Sequence, residues 1–411
     1  MASTDTLVEF LKPGAVVYVG GSCAEPRGLL EIVDSFSDRL RDLHFIQQPL
    51  GAVNQRDLST IAPGCSQRTF FMTPNLQEGL KEGRIEFVPM HMRAIFDYLA
   101  RTRIDVALLQ AARDRDGRLR FGPNVDYVDA VLMSASKLVI EINSSFTAAI
   151  GAPLVDEDRV DLQFEIASGR PLYPVSGSDE VSEKIGSLIA GLIRDGDCLQ
   201  TGIGAVPAAI LNNLKDRSDL GFHGGLMDDG VMALIKNGNI NGSRKHIDTG
   251  QHILGMALGS DEMLDWLVEA EQVVFRSADY THEASVIRQL DNFVSINSAI
   301  EVDLMGQVNA EVAGGRQISG TGGSVDFMRA AKMSPAGRSI VAMGATARGG
   351  TVSRIVPKVD TVTALRTDVD IVVTEFGVAE LKDESLQSRA ERLIEIAHPD
   401  FRDELRARVM S

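Results

Sequence analysis

Two segments of the chain share one pattern, and this repeat most restricts the folds open to it. They lie at 14–26 and 196–207, and each opens with Gly, continues as a short apolar run, turns at small residues and starts a helix near a proline. Proline suits the first turn of a helix because its missing N–H would have no partner there. The pattern is typical of a strand, a glycine-containing loop and a helix, and its recurrence favours a duplicated α/β architecture.

Other apolar runs rich in branched residues agree with this architecture. They occur at 104–110, 137–143, 339–343 and 369–375. Such runs suit strands that are buried on both faces of a parallel sheet. Helical spacing of apolar residues follows at 182–193 and 385–396. We therefore expect an α/β fold with two open, mainly parallel-sheet domains related by duplication, at 1–175 and 176–411.

The composition argues against several classes of partner and favours one cellular compartment. A net charge of −16 argues against a nucleic-acid partner, because phosphate binding needs a basic surface. No apolar run is long enough for a membrane span, and the first residues do not form the basic and apolar pattern of a secretory signal. The three cysteines, Cys23, Cys65 and Cys198, are widely spaced and form no CxxC pair. Reduced thiols in a cytoplasmic protein are therefore expected.

Two glycine-rich loops are candidates for ligand binding. The loop 202–207 follows a predicted strand and opens a helix, so its backbone N–H groups and the helix dipole can favour an anion. The loop 318–327 carries three glycines in four residues, which supply bare backbone for an oxyanion or ligand cradle. Taken alone, each loop is equally compatible with a plain tight turn.

Long stretches of the second half match one known family closely. The matching motifs are 291–308, 317–327, 356–357, 374–381 and 394–402, and the first half matches more loosely at 25–26, 105–107, 122–127 and 141–143. On these motifs the chain resembles the acetyl-CoA hydrolase/transferase family of class I CoA-transferases along nearly its whole length. The motifs of the second half closely resemble those of the 4-hydroxybutyrate and butyrate–acetate CoA-transferases.

This resemblance implies two CoA-transferase domains and a covalent mechanism. In the family a glutamate attacks an acyl-CoA to give a mixed anhydride, the CoA thiolate then forms an enzyme–CoA thioester, and an incoming carboxylate takes over the CoA. Motif matching implies that Ile300 and Gly323 line the thioester site, while Gly320 and Gly322 belong to a backbone cradle for oxyanions. It further implies that CoA or acyl-CoA, bound as a substrate and without a metal, is held by Gly202, Ile203, Gly204, Ala205 and Val206.

One motif departs from the family at its central position. The segment 223–230 reads His-Gly-Gly-Leu-Met-Asp-Asp-Gly, whereas the family has His or Tyr, then Thr, then the nucleophilic Glu, with Asp-Gly soon after. His223, Asp229 and Gly230 are kept, but Gly224 replaces the Thr and Gly225 stands where the Glu belongs. Because Gly225 has no side chain, it cannot form an anhydride.

A second departure places new polar groups in the chain. The family pattern Tyr-Val-Asn-Asp is Tyr280-Thr281-His282-Glu283 here. A His282–Glu283 pair can serve as a general base on water or on a thiol, or can simply make a structural hydrogen bond in a solvated loop. His223 and Asp229 are further catalytic candidates, although core packing and helix initiation account for them as well.

Three functions remain open on the sequence. The first is transfer of CoA from an acyl-CoA to acetate or another small carboxylate without the glutamyl intermediate. The second is acyl-CoA hydrolysis or CoA-dependent cleavage, and the third is a non-catalytic CoA-binding subunit that pairs with a paralogue. Acyl-CoA and a small carboxylate are the expected partners, and a homo-oligomer, dimer or tetramer, is expected for the family.

Overall fold

The computed structural model describes residues 4–173, 177 and 179–409, which form two compact units. The first comprises Met1–Pro174 and Ile253–Thr281, and the second comprises Val175–His252 and His282–Ser411. The expected boundary between residues 175 and 176 lies outside the described residues. Residues 253–281, expected in the second domain, are grouped with the first unit because their backbone bonds to it: Val125 N–H donates to Gly255 and Phe275 N–H to Gly151.

The regular elements alternate between helix and strand along most of the chain. Residues 4–166 form α1 Thr4–Phe10, β1 Val16–Val19, α2 Arg27–Asp34, β2 His44–Gln47, β3 Ser66–Thr69, α3 Gln77–Lys81, β4 Ile85–Phe87, α4 Met92–Arg101, β5 Ile104–Arg113, β6 Leu119–Phe121, α5 Val128–Ser134, β7 Ala135–Asn143 and β8 Leu162–Ile166. Residues 180–281 form α6 Glu180–Leu192, β9 Cys198–Thr201, α7 Ala205–Asn212, β10 Gly221–Phe222, β11 Leu226–Met227, α8 Asp229–Lys236, β12 His252–Leu254, β13 Met256–Ala257, α9 Asp261–Leu267, β14 Val273–Phe275 and α10 Ala278–Thr281. Residues 284–409 form α11 Ala284–Ile287, β15 Phe293–Ser298, β16 Glu301–Asp303, β17 Val308–Asn309, β18 Val312–Ala313, β19 Arg316–Gln317, α12 Ser324–Met333, β20 Arg338–Ala342, β21 Thr346–Ala347, β22 Val352–Ser353, β23 Ile355–Val356, β24 Ile371–Thr374, β25 Gly377–Glu380, α13 Leu386–Glu395 and α14 Pro399–Val409.

The first unit is built on a parallel sheet with the strand order β4-β3-β2-β1-β5-β7-β8 and with β6 antiparallel to β5. Val17 of β1 is in register with Phe45 of β2 on one side and with Val106 of β5 on the other. These three side chains are buried in one apolar cluster. Because the chain winds outward from β1 in both directions, the loops after β1 and β5 flank a crevice at the carboxyl end of the sheet.

The second unit repeats this plan. Its sheet has the order β10-β9-β15-β20-β24-β25 and is parallel except for the pairing of β24 with β25. Leu199 of β9 is in register with Val294 of β15, and both are fully buried. The winding reverses between β9 and β15, so the loops after these strands flank the corresponding crevice.

The predicted α/β class with mainly parallel sheets is confirmed. The runs at 104–110 and 137–143 lie in β5 and β7, those at 339–343 and 369–375 overlap β20 and β24, and the helical spacings overlap α6 and α13. Asp179 caps α6 by accepting a hydrogen bond from Ser182 N–H, and Ser385 caps α13 in the same way. Across the described ranges, no helix combines the length and the hydrophobicity needed to cross a bilayer.

Candidate active site

The loop between β9 and α7 presents bare backbone at the crevice of the second unit. Gly202 to Val206 are all partly exposed. A Cβ atom on Gly202 or Gly204 would meet no atom within 4 Å, so open space lies beside both. Gly204 has φ +114° and precedes α7 without a side-chain cap, so the first N–H groups of that helix stay available to an outside acceptor. The loop can therefore hold an anionic group.

Ile300 lies just after the neighbouring strand β15, at the same crevice. Its N–H donates to Asn309, and its carbonyl accepts a hydrogen bond of 2.8 Å from the Arg354 guanidinium. Arg354 also donates to the carbonyl of Ala299, and burial lowers its pKa. Arg354 thus fixes the backbone turn after β15. No motif in the sequence indicated this role, because the bond spans more than fifty residues.

The second glycine loop ends at the start of α12. Gly322 has φ +57°, and Gly323 precedes α12 without a side-chain cap. The loop is held from within: Thr321 donates to Glu311 at 3.3 Å, and Ser324 donates to the Thr321 carbonyl. Its backbone can therefore serve as a cradle on one side of His282.

His282 lies between the glycine loop and the segment that carries Gly225. A Cβ atom on Gly225 would lie 2.9 Å from Cε1 and from Nε2 of His282, and one on Gly323 would approach the same ring even more closely. The ring centroids of His282 and Phe327 are 4.5 Å apart. His282 is only 2% exposed, and burial lowers the pKa of its imidazole to about 3. The structure thus brings Gly225, His282 and Gly323 together around a neutral ring.

The remaining polar candidates are His223, Asp229 and Glu283. His223 is fully buried, and its ring lies edge-on to Phe293 with the centroids 6.4 Å apart. Asp228 caps α8 by accepting from Val231 N–H, and Asp229 is the first residue of that helix. Glu283 caps α11 by accepting a 3.0 Å hydrogen bond from Ser285 N–H. His223 is thus part of the core, Asp229 begins a helix, and Glu283 makes a structural hydrogen bond.

The buried side chain of Lys245 supports the segment that carries Gly225. The sequence analysis did not identify this residue. The Lys245 ammonium donates to the carbonyls of Phe222 and Gln251 at 3.3 and 2.8 Å, and burial lowers its pKa. It therefore anchors the strand end that leads into His223. No sequence pattern marks this lysine, because its acceptors are backbone atoms. Among the described residues there is no group of three or more His, Cys, Asp or Glu side chains able to hold a metal ion.

Comparison with known proteins decides the family. The profile of the acetyl-CoA hydrolase/transferase N-terminal domain matches residues 1–157, and the profile of the C-terminal domain matches residues 259–409. The chain belongs to the acetyl-CoA hydrolase/transferase family. The predicted family and the prediction of an enzyme are thereby confirmed, and its chemistry is CoA transfer or hydrolysis of a CoA thioester.

Individual members of the acetyl-CoA hydrolase/transferase family are similar over most of the chain. The chain is 39% identical to the 4-hydroxybutyrate coenzyme A transferase of Clostridium kluyveri, covering 80% of this chain and 78% of that protein. It is 34% identical to the butyryl-CoA:acetate CoA-transferase of Anaerostipes caccae, covering 79% and 76%. The solved structure of RipA from Yersinia pestis matches with a TM-score of 0.91 at 31% identity, covering 100% of this chain and 96% of RipA.

Proposed function

We propose that this protein transfers CoA from an acyl-CoA to a small carboxylate by direct reaction of the two bound substrates, without a glutamyl-CoA intermediate. One observation carries the proposal: the imidazole of His282 fills the space where a side chain on Gly225 would begin. The family resemblance assigns the covalent nucleophile to this position. The absence of a carboxylate at 225, together with the ring beside it, supports direct attack of the acceptor on the thioester.

The direct route balances without any protein nucleophile. An oxygen of the acceptor carboxylate adds to the thioester carbonyl, and the CoA thiolate leaves to give a mixed anhydride of the two acids. The thiolate then adds to the acceptor's carbonyl carbon, and the donor acid leaves as a carboxylate. The bridging oxygen departs with the donor acid, and no net proton is gained or lost.

The described residues suit this route better than they suit hydrolysis. A carboxylate is already ionised at neutral pH, so its attack requires no general base, whereas water must lose a proton. The pKa of His282 is lowered to about 3, which makes the imidazole a weak base. Backbone N–H groups of the 320–323 loop would stabilise the oxyanions formed in both addition steps. The open loop 202–206 would hold the anionic part of CoA.

A labelled single turnover tests the proposal. Excess protein is mixed with butyryl-CoA and acetate that carries oxygen-18 in both positions, and the first butyrate released is analysed by mass spectrometry. Direct attack predicts one oxygen-18 atom in that butyrate. Unlabelled butyrate in a first turnover that also yields acetyl-CoA would show that a protein carboxylate relays the CoA and would overturn the proposal.

The same assay separates the two alternatives. Butyrate that forms without acetate and takes one oxygen from labelled water would establish hydrolysis instead. A chain that binds butyryl-CoA but neither exchanges nor releases it, with any small acid present, would be a CoA-binding subunit. The acetyl or short acyl substrate, the homo-oligomeric state and the cytoplasmic location belong to this proposal and stay predictions.

A further inference from the structure

Arg354 lies where the carboxyl ends of three neighbouring strands of the second unit meet. Its Nε donates a 2.8 Å hydrogen bond to the Ile300 carbonyl, and a second guanidinium nitrogen donates to the Ala299 carbonyl, just after β15. Its backbone N–H donates to the Ala345 carbonyl after β20 at 2.9 Å. The N–H of Ala345 in turn donates to the Glu375 carboxylate after β24 at 2.7 Å. Arg354 therefore connects the ends of β15, β20 and β24.

The peptide groups on both sides of Ile300 are held by these contacts. The Ala299 carbonyl belongs to the peptide that precedes Ile300, and the N–H of that same peptide donates to the Asn309 carbonyl at 2.8 Å. The Ile300 carbonyl belongs to the peptide that follows. Each peptide is a rigid plane, so fixing both planes fixes the two backbone dihedral angles of Ile300 that lie between them.

A guanidinium group suits this place better than any other cation. It is a planar fork with donors in fixed directions, so it can serve two carbonyls at once, whereas an ammonium group acts as a point charge. Arg354 is half-buried, and a charge removed from water is costly unless hydrogen bonds compensate for it. The two carbonyls supply that compensation, and their own orientation is fixed with it.

The turn that Arg354 holds forms one wall of the crevice in the second unit. Ligands of open parallel sheets bind where the winding reverses, which here is between β9 and β15. The open loop 202–206 follows β9, and residues 299–300 follow β15. Misplacing a group that orients a substrate by about 1 Å can slow a reaction about a hundredfold. A residue that sets the backbone of this wall can therefore govern the rate without touching the substrate.

We propose that Arg354 is a positioning residue for the CoA chemistry of this protein: by holding the carbonyls of Ala299 and Ile300, it keeps the turn after β15 in the orientation that the bound thioester requires. The inference rests on the proposed function only in placing the reaction at the crevice of the second unit. It applies to transfer and to hydrolysis alike.

Kinetics on the whole chain test this role. Release of butyrate from butyryl-CoA in the presence of acetate is measured for the unmodified protein, Arg354→Lys and Arg354→Ala. We expect kcat to fall about tenfold for Arg354→Lys and about a hundredfold for Arg354→Ala, with KM for butyryl-CoA changed by less than about threefold. Millimolar guanidinium chloride should restore part of the kcat of Arg354→Ala, whereas urea at the same concentration should not.

Arg338 provides the matched control. It lies at the amino end of β20 and donates to the Leu192 carbonyl and to Asp197, so it is an anchoring arginine at the opposite edge of the same sheet. Arg338→Ala should lower the melting temperature, leave kcat unchanged and show no response to guanidinium. Arg354→Lys, which keeps the charge, carries the test if Arg354→Ala does not fold. An unchanged kcat in both Arg354 variants, or an equal loss in Arg338→Ala, would overturn the inference.

Binding measured without turnover separates this inference from the proposed function. Calorimetry gives the affinities for butyryl-CoA and for CoA, and only the first ligand carries the thioester. We expect Arg354→Lys to change the ratio of the two affinities by about fivefold and to leave the affinity for CoA itself unchanged.

The two proposals can then fail independently. An altered ratio in a protein that transfers no CoA, or that relays it through a protein carboxylate, would uphold the role of Arg354 while the proposed function failed. An unchanged ratio and an unchanged kcat, in a protein whose first butyrate carries one oxygen-18 atom, would overturn the role of Arg354 and leave the proposed function standing.

Discussion

The imidazole of His282 and the α-carbon of Gly225 are complementary: a Cβ atom on Gly225 would lie 2.9 Å from two atoms of the ring. Real Cβ contacts are essentially never that short, so a side chain at 225 and the present ring position exclude each other. The sequence analysis predicts that both residues depart from the family pattern. If that prediction holds, the two departures are linked, because the ring lies in the volume that a side chain at 225 would need.

Restoring the carboxylate by Gly225→Glu alone should produce no covalent CoA adduct, because His282 fills the space that the new side chain needs. The double change Gly225→Glu with His282→Asn removes the ring and installs the residue types that the family resemblance implies at both positions. After exposure to butyryl-CoA, intact-protein mass spectrometry should show a CoA increment for the double variant. An adduct on the single variant, or on the unmodified protein, would contradict the exclusion.

A side chain at Gly202 should weaken CoA binding without weakening the fold. Gly202 has open space beside it and lacks the positive φ of Gly204, so Gly202→Val fits the backbone but covers the loop's N–H groups. We expect CoA affinity by calorimetry to fall by about tenfold or more, with the melting temperature little changed. Gly191→Val, on the exposed face of α6 and also beside open space, is the matched control. Undiminished CoA affinity in Gly202→Val would remove this loop from the binding site.

His282 should make the fold sensitive to acid. Its pKa is lowered from 6.5 to about 3 in the folded chain, so the unfolded chain binds the proton first as the pH falls. The contribution of His282 to the free energy of unfolding is fully present above pH 6.5. It is lost as the pH falls from 6.5 towards 3, by up to about 1.4 kcal/mol per pH unit. Urea unfolding of His282→Asn should show a shallower loss over this window, whereas His44→Asn, at an exposed histidine, should follow the unmodified protein. Parallel pH profiles for all three proteins would contradict the neutral buried ring.

The contribution of Asp126 to folding stability should have the opposite pH dependence to that of His282. Burial raises its pKa from 3.8 to about 7, so the folded chain holds the proton more tightly than the unfolded chain does. Its stability contribution is present below pH 3.8 and is lost as the pH rises towards 7, by up to a few kcal/mol in total. Relative to the unmodified protein, Asp126→Asn should therefore gain unfolding free energy between pH 4 and pH 8. A difference that stays constant over this range would show that the carboxyl is solvated.

The sequence by itself determined the family, the α/β class and the positions of the glycine loops. These follow from local patterns: apolar runs of strand length, helical spacings, and glycines next to strand ends. The expected strands at 104–110 and 137–143 lie within β5 and β7, because a strand buried on both faces has to be apolar throughout. The sequence also marked Gly225 and His282 separately as departures from the family.

Only the tertiary structure decided how these residues meet. That His282 packs against Gly225 and Gly323 depends on a chain path that brings distant loops to one crevice, and no local pattern encodes that path. The same holds for residues 253–281, which pack with the first unit, for Lys245 and Arg354, whose acceptors are backbone carbonyls, and for the unmatched oxygen of Asp126. Burial and hydrogen-bond partners are properties of the packed chain. They determine the pKa of a titratable side chain, and therefore whether it is charged or neutral.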